Sequence, residues 1–125
     1  MRNLAQLLRR DERGTAALEF ALVAPILIAL LIGTITLCIG LFLIGSLHYA
    51  VEEGARCASV KTTICSDATT TIAYAQNHYF GPNLSPIFTY AAAACGKSVS
   101  ASISYSMNVG FSTYTIPISA TACFP

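Results

Sequence analysis

Tryptophan is absent, histidine and methionine occur twice each, and charged residues make up only 10% of the 125-residue chain. Each shortage closes off a class of function. Beyond the longest apolar run, Arg56, Lys61 and Lys97 are balanced by Glu52, Glu53 and Asp67, so no basic patch exists for nucleic acid. Two histidines and no Cys-x-x-Cys pair give no zinc-ligand pattern, and no cofactor is expected. There is no Gly-x-Ser-x-Gly, no His-Glu-x-x-His and no glycine loop suited to phosphate, so no enzymatic activity is expected. His78, Cys65 and Asp67 have the residue types of a base beside a nucleophile, but Cys65 is better used in a disulfide.

Apolar residues are plentiful. They make up 54% of the chain, with mean hydropathy +0.61, which is too apolar for an ordinary soluble domain. Phe20 to Leu47 is an uncharged run of 28 residues. As a helix it would extend roughly 42 Å, more than the ~30 Å of bilayer hydrocarbon. It can therefore span with tilt, or its last turns can leave the bilayer. Arg2, Arg9, Arg10 and Arg13 precede it, which puts the amino terminus in the cytoplasm and the carboxyl-terminal part in the periplasm or outside the cell. A cleaved signal peptide has a shorter apolar region that ends at small residues. The exit here, His48-Tyr49-Ala50-Val51-Glu52, offers no such site, and retention of the helix is expected. His48 falls where the helix would leave the bilayer, and Cys38, inside the run, reads as a small buried apolar side chain.

Three regions follow: a charged leader at 1–14, a transmembrane helix with its outer continuation at 15–60, and a small extracytoplasmic α+β domain at 61–125. Thr15 is expected to open the helix as its cap, with Glu19 in the first turns, where a carboxylate suits the positive dipole end. Pro25 implies a kink or a loosened turn. Gly33 and Gly40 share a face that a second helix could approach. Val51, Ala55 and Ala58 fall at helical spacing among charges, so the helix continues outward as an amphipathic arm to about Val60.

Ser66-Asp67 reads as the cap of a second, short helix with Ile72, Ala75, Tyr79 and Phe80 on one face, closed by Gly81-Pro82. His78 lies near its carboxyl-terminal end. Asn83 to Cys95 is ambiguous: Ile87 to Tyr90 fits a strand, while Ala91 to Ala94 fits a helical turn. From Ser98 the period is two: Val99, Ala101, Ile103, Tyr105 and Met107, then, past Asn108-Val109-Gly110, Tyr114, Ile116, Ile118, Ala120 and Ala122. Two half-buried strands joined by a tight turn are predicted, with Pro117 placing the second at an edge or a bulge. Cys57, Cys65, Cys95 and Cys123 suit an exported segment too small for a large core, and four cysteines allow three connectivities. The favoured one is Cys57–Cys65, pinning the helix arm, with Cys95–Cys123, tying the strand pair. The fold class is thus α+β: a long N-terminal transmembrane α-helix followed by a small disulfide-stapled domain with a C-terminal antiparallel β-hairpin.

The junction Arg13-Gly14, followed by Thr15-Ala16-Ala17-Leu18-Glu19-Phe20-Ala21-Leu22-Val23-Ala24-Pro25, resembles a type IV prepilin processing site. More closely, it resembles the TadE-like pseudopilins of tight-adherence (Flp) pilus systems. Glu53-Gly54-Ala55-Arg56 is a second point of likeness, since such a segment often follows the membrane helix in that family. Asp11 and Glu12 depart from the usual basic character before the cleavage glycine. The resemblance implies cleavage by a prepilin peptidase between Gly14 and Thr15. It also implies that Glu19, with Phe20 beside it, serves as the assembly carboxylate that meets a neighbouring subunit's new amino terminus. The implied role is a minor pseudopilin in the inner membrane, with other pilins or pseudopilins, the pilus machinery and the lipid bilayer as partners. A major Flp pilin is disfavoured because those chains are much shorter. The alternative is an unprocessed single-pass envelope protein whose outer domain binds a ligand or adheres.

Overall fold

The computed structural model describes residues 12–108 and 112–125. The leader up to residue 11 and most of the expected Asn108-Val109-Gly110 turn lie outside the described residues. The elements are α1 (Glu12–Val60), α2 (Ala68–Asn77), β1 (Ile87–Ala93), β2 (Gly96–Asn108) and β3 (Thr113–Phe124). They fall into two compact units, divided after Leu37.

In the first unit, α1 is already helical at Glu12 and runs through Thr15. This corrects the expectation that Thr15 caps the helix. Gly14 is a weak helix former but does not break one, and a Cβ there would meet nothing within 4 Å. Pro25 also lies inside α1 without ending it; its missing N–H leaves the Ala21 carbonyl without the usual donor. From Gly14 to Leu37 every residue is exposed except Ala24 and Thr36, which are half-buried. Two hydroxyls here are satisfied locally: Thr34 donates to the Leu30 carbonyl, and Thr36 to those of Ile32 and Gly33 at 3.0 and 2.9 Å. Neither of these hydroxyls therefore needs water. Among the described residues, α1 is the one helix long and apolar enough to cross a membrane.

The second unit holds the core. Leu43, Leu47, Ala50, Val51 and Ala55 form a continuous buried stripe along α1, spaced three to four residues apart in the manner of an amphipathic helix. The last residues of the long uncharged run therefore belong to a protein core. Cys38, expected to be buried, is exposed; it precedes the first fully covered position, Leu43.

The three strands form one antiparallel sheet in the order β1-β2-β3. Phe88, Val99, Ala101, Ile103, Ile118 and Ala120 face the core, and the register sets Ile103 opposite Ile118 and Ala101 between Phe88 and Ala120. Ala75 of α2 completes the cluster. Pro117 lies in β3, an edge strand, opposite Ser104. Three details depart from expectation. The Ala91–Ala93 stretch is strand rather than helical turn, because it pairs with Gly96 to Ser98. Tyr114 and Ile116 share the alternation of Ile118 but are exposed. The short helix stops at Asn77, where the His78 and Tyr79 N–H groups turn back to the Ala75 and Gln76 carbonyls, so Tyr79 and Phe80 lie beyond it.

Candidate functional site

The candidate processing and assembly residues all lie on the exposed part of α1. Thr15 and Glu19 are four apart, hence one turn apart on one face, and both are exposed, as are Gly14, Phe20 and Pro25. A carboxylate here has the geometry to meet a group from another chain.

The second candidate segment, Glu53 to Arg56, has a structural function at its glycine. A Cβ on Gly54 would come within 2.9 Å of the Ala75 Cβ and 3.5 Å of both Val99 methyls. Gly54 is thus a point of close approach between α1, α2 and β2, and a side chain would press on Ala75. Its neighbours face outward. Glu52, Glu53 and Arg56, with Thr121 to Phe124 of β3, line an open cleft of about 420 Å³. The cleft presents two carboxylates and a guanidinium.

Both disulfides lie in this unit. Cys57 is joined to Cys65, with Cα atoms 5.8 Å apart, and closes the chain where α1 ends. Cys95 is joined to Cys123 across 28 residues and ties the β1–β2 turn to the end of β3. The same corner requires a glycine: Gly96 has φ +123°, and a Cβ there would run into the Phe124 carbonyl. Ser59 donates to that carbonyl at 3.0 Å, linking α1 to the end of β3.

Asp67 caps α2. Its carboxylate accepts the Thr70 N–H at 2.8 Å, while the Thr70 hydroxyl accepts the Asp67 N–H at 3.1 Å, a reciprocal capping box. The Thr70 backbone N–H foremost, then the Thr70 hydroxyl, hold the Asp67 carboxyl below the usual carboxylate range. Burial pushes the Tyr79 phenol upward, and its hydroxyl donates to the Pro82 carbonyl at 3.1 Å.

Three polar residues with structural roles are not evident from local pattern. Thr71 is buried, and its hydroxyl donates to the Asp67 carbonyl at 2.7 Å. Ser46 is buried on α1 and accepts the Phe80 backbone N–H at 2.9 Å, joining positions 34 residues apart. Thr70 completes the cap, where only Asp67 was evident. His48 is exposed. His78 stacks on Tyr74 at 4.3 Å between ring centroids, and its Nδ1 lies 2.8 Å from the Tyr74 carbonyl. Among the described residues no group of three His, Cys, Asp or Glu is placed to hold a metal ion.

A family model described as "TadE-like protein" matches residues 14–56, the family that the junction resembles. The match lies wholly within α1 and includes both the Gly14–Glu19 junction and the Glu53–Arg56 segment. The family is one of pilus components. Searches among curated proteins and among solved structures give no match.

Proposed function

We propose that this chain is a minor pseudopilin in the assembly of a tight-adherence (Flp-type) pilus. It is anchored in the inner membrane by α1, with its amino terminus cytoplasmic and its α+β domain periplasmic, and is cut by prepilin peptidase between Gly14 and Thr15. The observation that carries this reading is the family match from Gly14 onward, beginning at the residue after which the cut would fall.

Physical placement supports it. The domain takes over the helix at Leu43, the first fully covered position. Counting back the ~20 residues that cross the hydrocarbon puts the span at roughly residues 22–42. Glu19 then sits in the cytoplasmic headgroup layer, about 4.5 Å short of the hydrocarbon. Cleavage would create an ammonium on Thr15, one turn away. Beside the low-dielectric layer opposite charges attract more strongly than in bulk water, and pairing between neighbouring chains would let both approach the hydrocarbon at a lower cost. Lateral assembly is thereby favoured over solitary insertion. The peptidase needs the Gly14–Thr15 bond accessible, and Gly14 is among the least costly residues to unwind from a helix, by about 1 kcal/mol relative to Ala.

Mass spectrometry of the protein purified from its native membrane tests this. A cut after Gly14 removes 14 of 125 residues, which leaves a product about 1.7 kDa lighter than the 13.2 kDa chain. Gly14→Leu should accumulate the full-length form. Recovery of an intact Met1 terminus from wild-type cells would overturn the reading and favour the unprocessed envelope protein.

A further inference from the structure

We propose that the turn after α2, led by Phe80, docks on the outer leaflet of the bilayer and gives the domain a lipid contact of its own beside the anchor. The inference rests on the membrane anchoring proposed above and adds a second site to it.

Phe80 is 65% exposed, an unfavourable place for a large apolar ring in water. It is also not free to move away. Its backbone N–H donates to the buried Ser46 hydroxyl, which fixes the turn at the level of Ser46 on α1. Ser46 lies three residues past Leu43, where the domain begins to cover the helix. The residues just before and beside that point, Leu41, Phe42 and Ile44, are exposed and apolar. One helical turn separates Phe42 from Ser46, about 6 Å along the axis. The headgroup layer on each side of the hydrocarbon is about 5–7 Å thick. Phe80 therefore falls within that layer, where aromatic rings concentrate.

Tyr49 extends the same surface. It is 45% exposed, and its ring lies 5.9 Å from that of Phe80 and 6.3 Å from that of His78. Tyr carries a hydroxyl that suits the wet side of the layer, while Phe suits the acyl boundary. The order along α1 agrees with this, Phe80 lying at Ser46 and Tyr49 one turn further out. Charge raises no objection, because no Asp, Glu, Lys or Arg occurs between Asp67 and Lys97. The turn can approach lipid without stripping water from a fixed charge. A bare apolar ring, held by a backbone hydrogen bond beside an apolar helix surface and free of neighbouring charge, fits a lipid interface.

The absence of tryptophan allows a direct experiment. Phe80→Trp and Leu31→Trp are each made in the full chain and reconstituted in phosphatidylethanolamine–phosphatidylglycerol vesicles with acyl chains brominated at shallow or deep positions. Leu31→Trp reports the anchor and should be quenched most by deep bromines. Phe80→Trp should emit blue-shifted and lose severalfold of its intensity with shallow bromines, less with deep ones. A Phe80→Trp that emits as in water and is not quenched, while Leu31→Trp is quenched, would overturn the leaflet contact and leave the anchor intact. Blue-shifted but unquenched Phe80→Trp would also overturn it, by pointing to a protein partner over the ring. If neither probe is quenched, the anchoring itself fails and the leaflet contact with it.

Discussion

Leu22, Ile26 and Leu30 are each more than half exposed, whereas Leu43 and Leu47, further along the same helix, are fully covered. Hydropathy does not separate the two sets, because both belong to one uncharged run. The difference is made by the chain beyond Val60, which folds over the second set and leaves the first bare. Large side chains crowd the first stretch with almost nothing buried. In the second, the core leans on small residues, Ala50, Ala55, Ala75, Ala101 and Ala120, brought close around Gly54. An apolar helix can thus be finished by two different surroundings, lipid on one part and its own domain on the other. A small-residue core buries little area, which is why the second region carries two disulfides.

The largest effect that would sharpen this contrast lies on the bare part. Glu19→Gln keeps shape and removes charge, so insertion of α1 should be unchanged while pilus output on cells falls to near zero. Normal piliation in that variant would break the assignment of Glu19 to assembly. The folded part should respond in the opposite way, losing stability without losing the anchor. Removing the Cys95–Cys123 link with Cys95→Ser and Cys123→Ser frees a 28-residue loop, which should cost about 3.5 kcal/mol in the chain-entropy model. The shorter Cys57–Cys65 loop should cost less, about 2.5 kcal/mol. All six tyrosines lie at or beyond Tyr49, so near-ultraviolet circular dichroism of the full chain in detergent follows this region alone. Membrane retention should be unaffected in either pair of variants. Next in size is Gly54→Ala. The added methyl meets Ala75 at 2.9 Å, and overpacking of this kind costs about 1–3 kcal/mol, against the ~1 kcal/mol that Ala gains as a helix former. Ala75→Gly in the same chain should recover much of the loss. A Gly54→Ala variant as stable as wild type would show that the three elements can part without cost.

The sequence was legible where the pattern was local and long. The apolar run, the arm of Val51, Ala55 and Ala58, the cap at Asp67 and the alternation from Ser98 to Met107 all appear as read. It was misleading where tertiary contacts decided. Ala91 to Ala93 has the composition of a helical turn, and only pairing with the start of β2 makes it strand. The spacing of Tyr79 and Phe80 extends the face of Ile72 and Ala75, yet the helix ends first because His78 bonds back to Ala75 and Tyr79 to Gln76. Alternation assigns Tyr114 and Ile116 to the face of Ile118 but cannot say how far along β3 anything covers that face. Thr15 looked like a helix start because a glycine precedes it, and a lone glycine does not stop a helix that flanking residues propagate. At Gly54 and Ser46 the reason for the residue resides in partners 21 and 34 positions away, Ala75 and Phe80. No local motif carries that information.

The smallest effect concerns α2, whose start depends on the Asp67–Thr70 capping box. Asp67→Ala removes the acceptor for the Thr70 N–H and should lower the Tm of the folded region slightly, without touching the anchor or the disulfides. Its pH dependence identifies the cause. The folded carboxyl titrates below the unfolded one, so its contribution is complete above the unfolded value, about 3.9, and is lost as pH falls through the lower folded value. The difference in Tm between wild type and Asp67→Ala should therefore stay constant from neutrality down to about pH 4 and shrink only below it. Asp67→Asn keeps an acceptor that does not titrate, so its difference from Asp67→Ala should hold at all these pH values. If the wild-type difference begins to shrink near pH 6 instead, a group other than Asp67 would be setting the stability of this end of the domain.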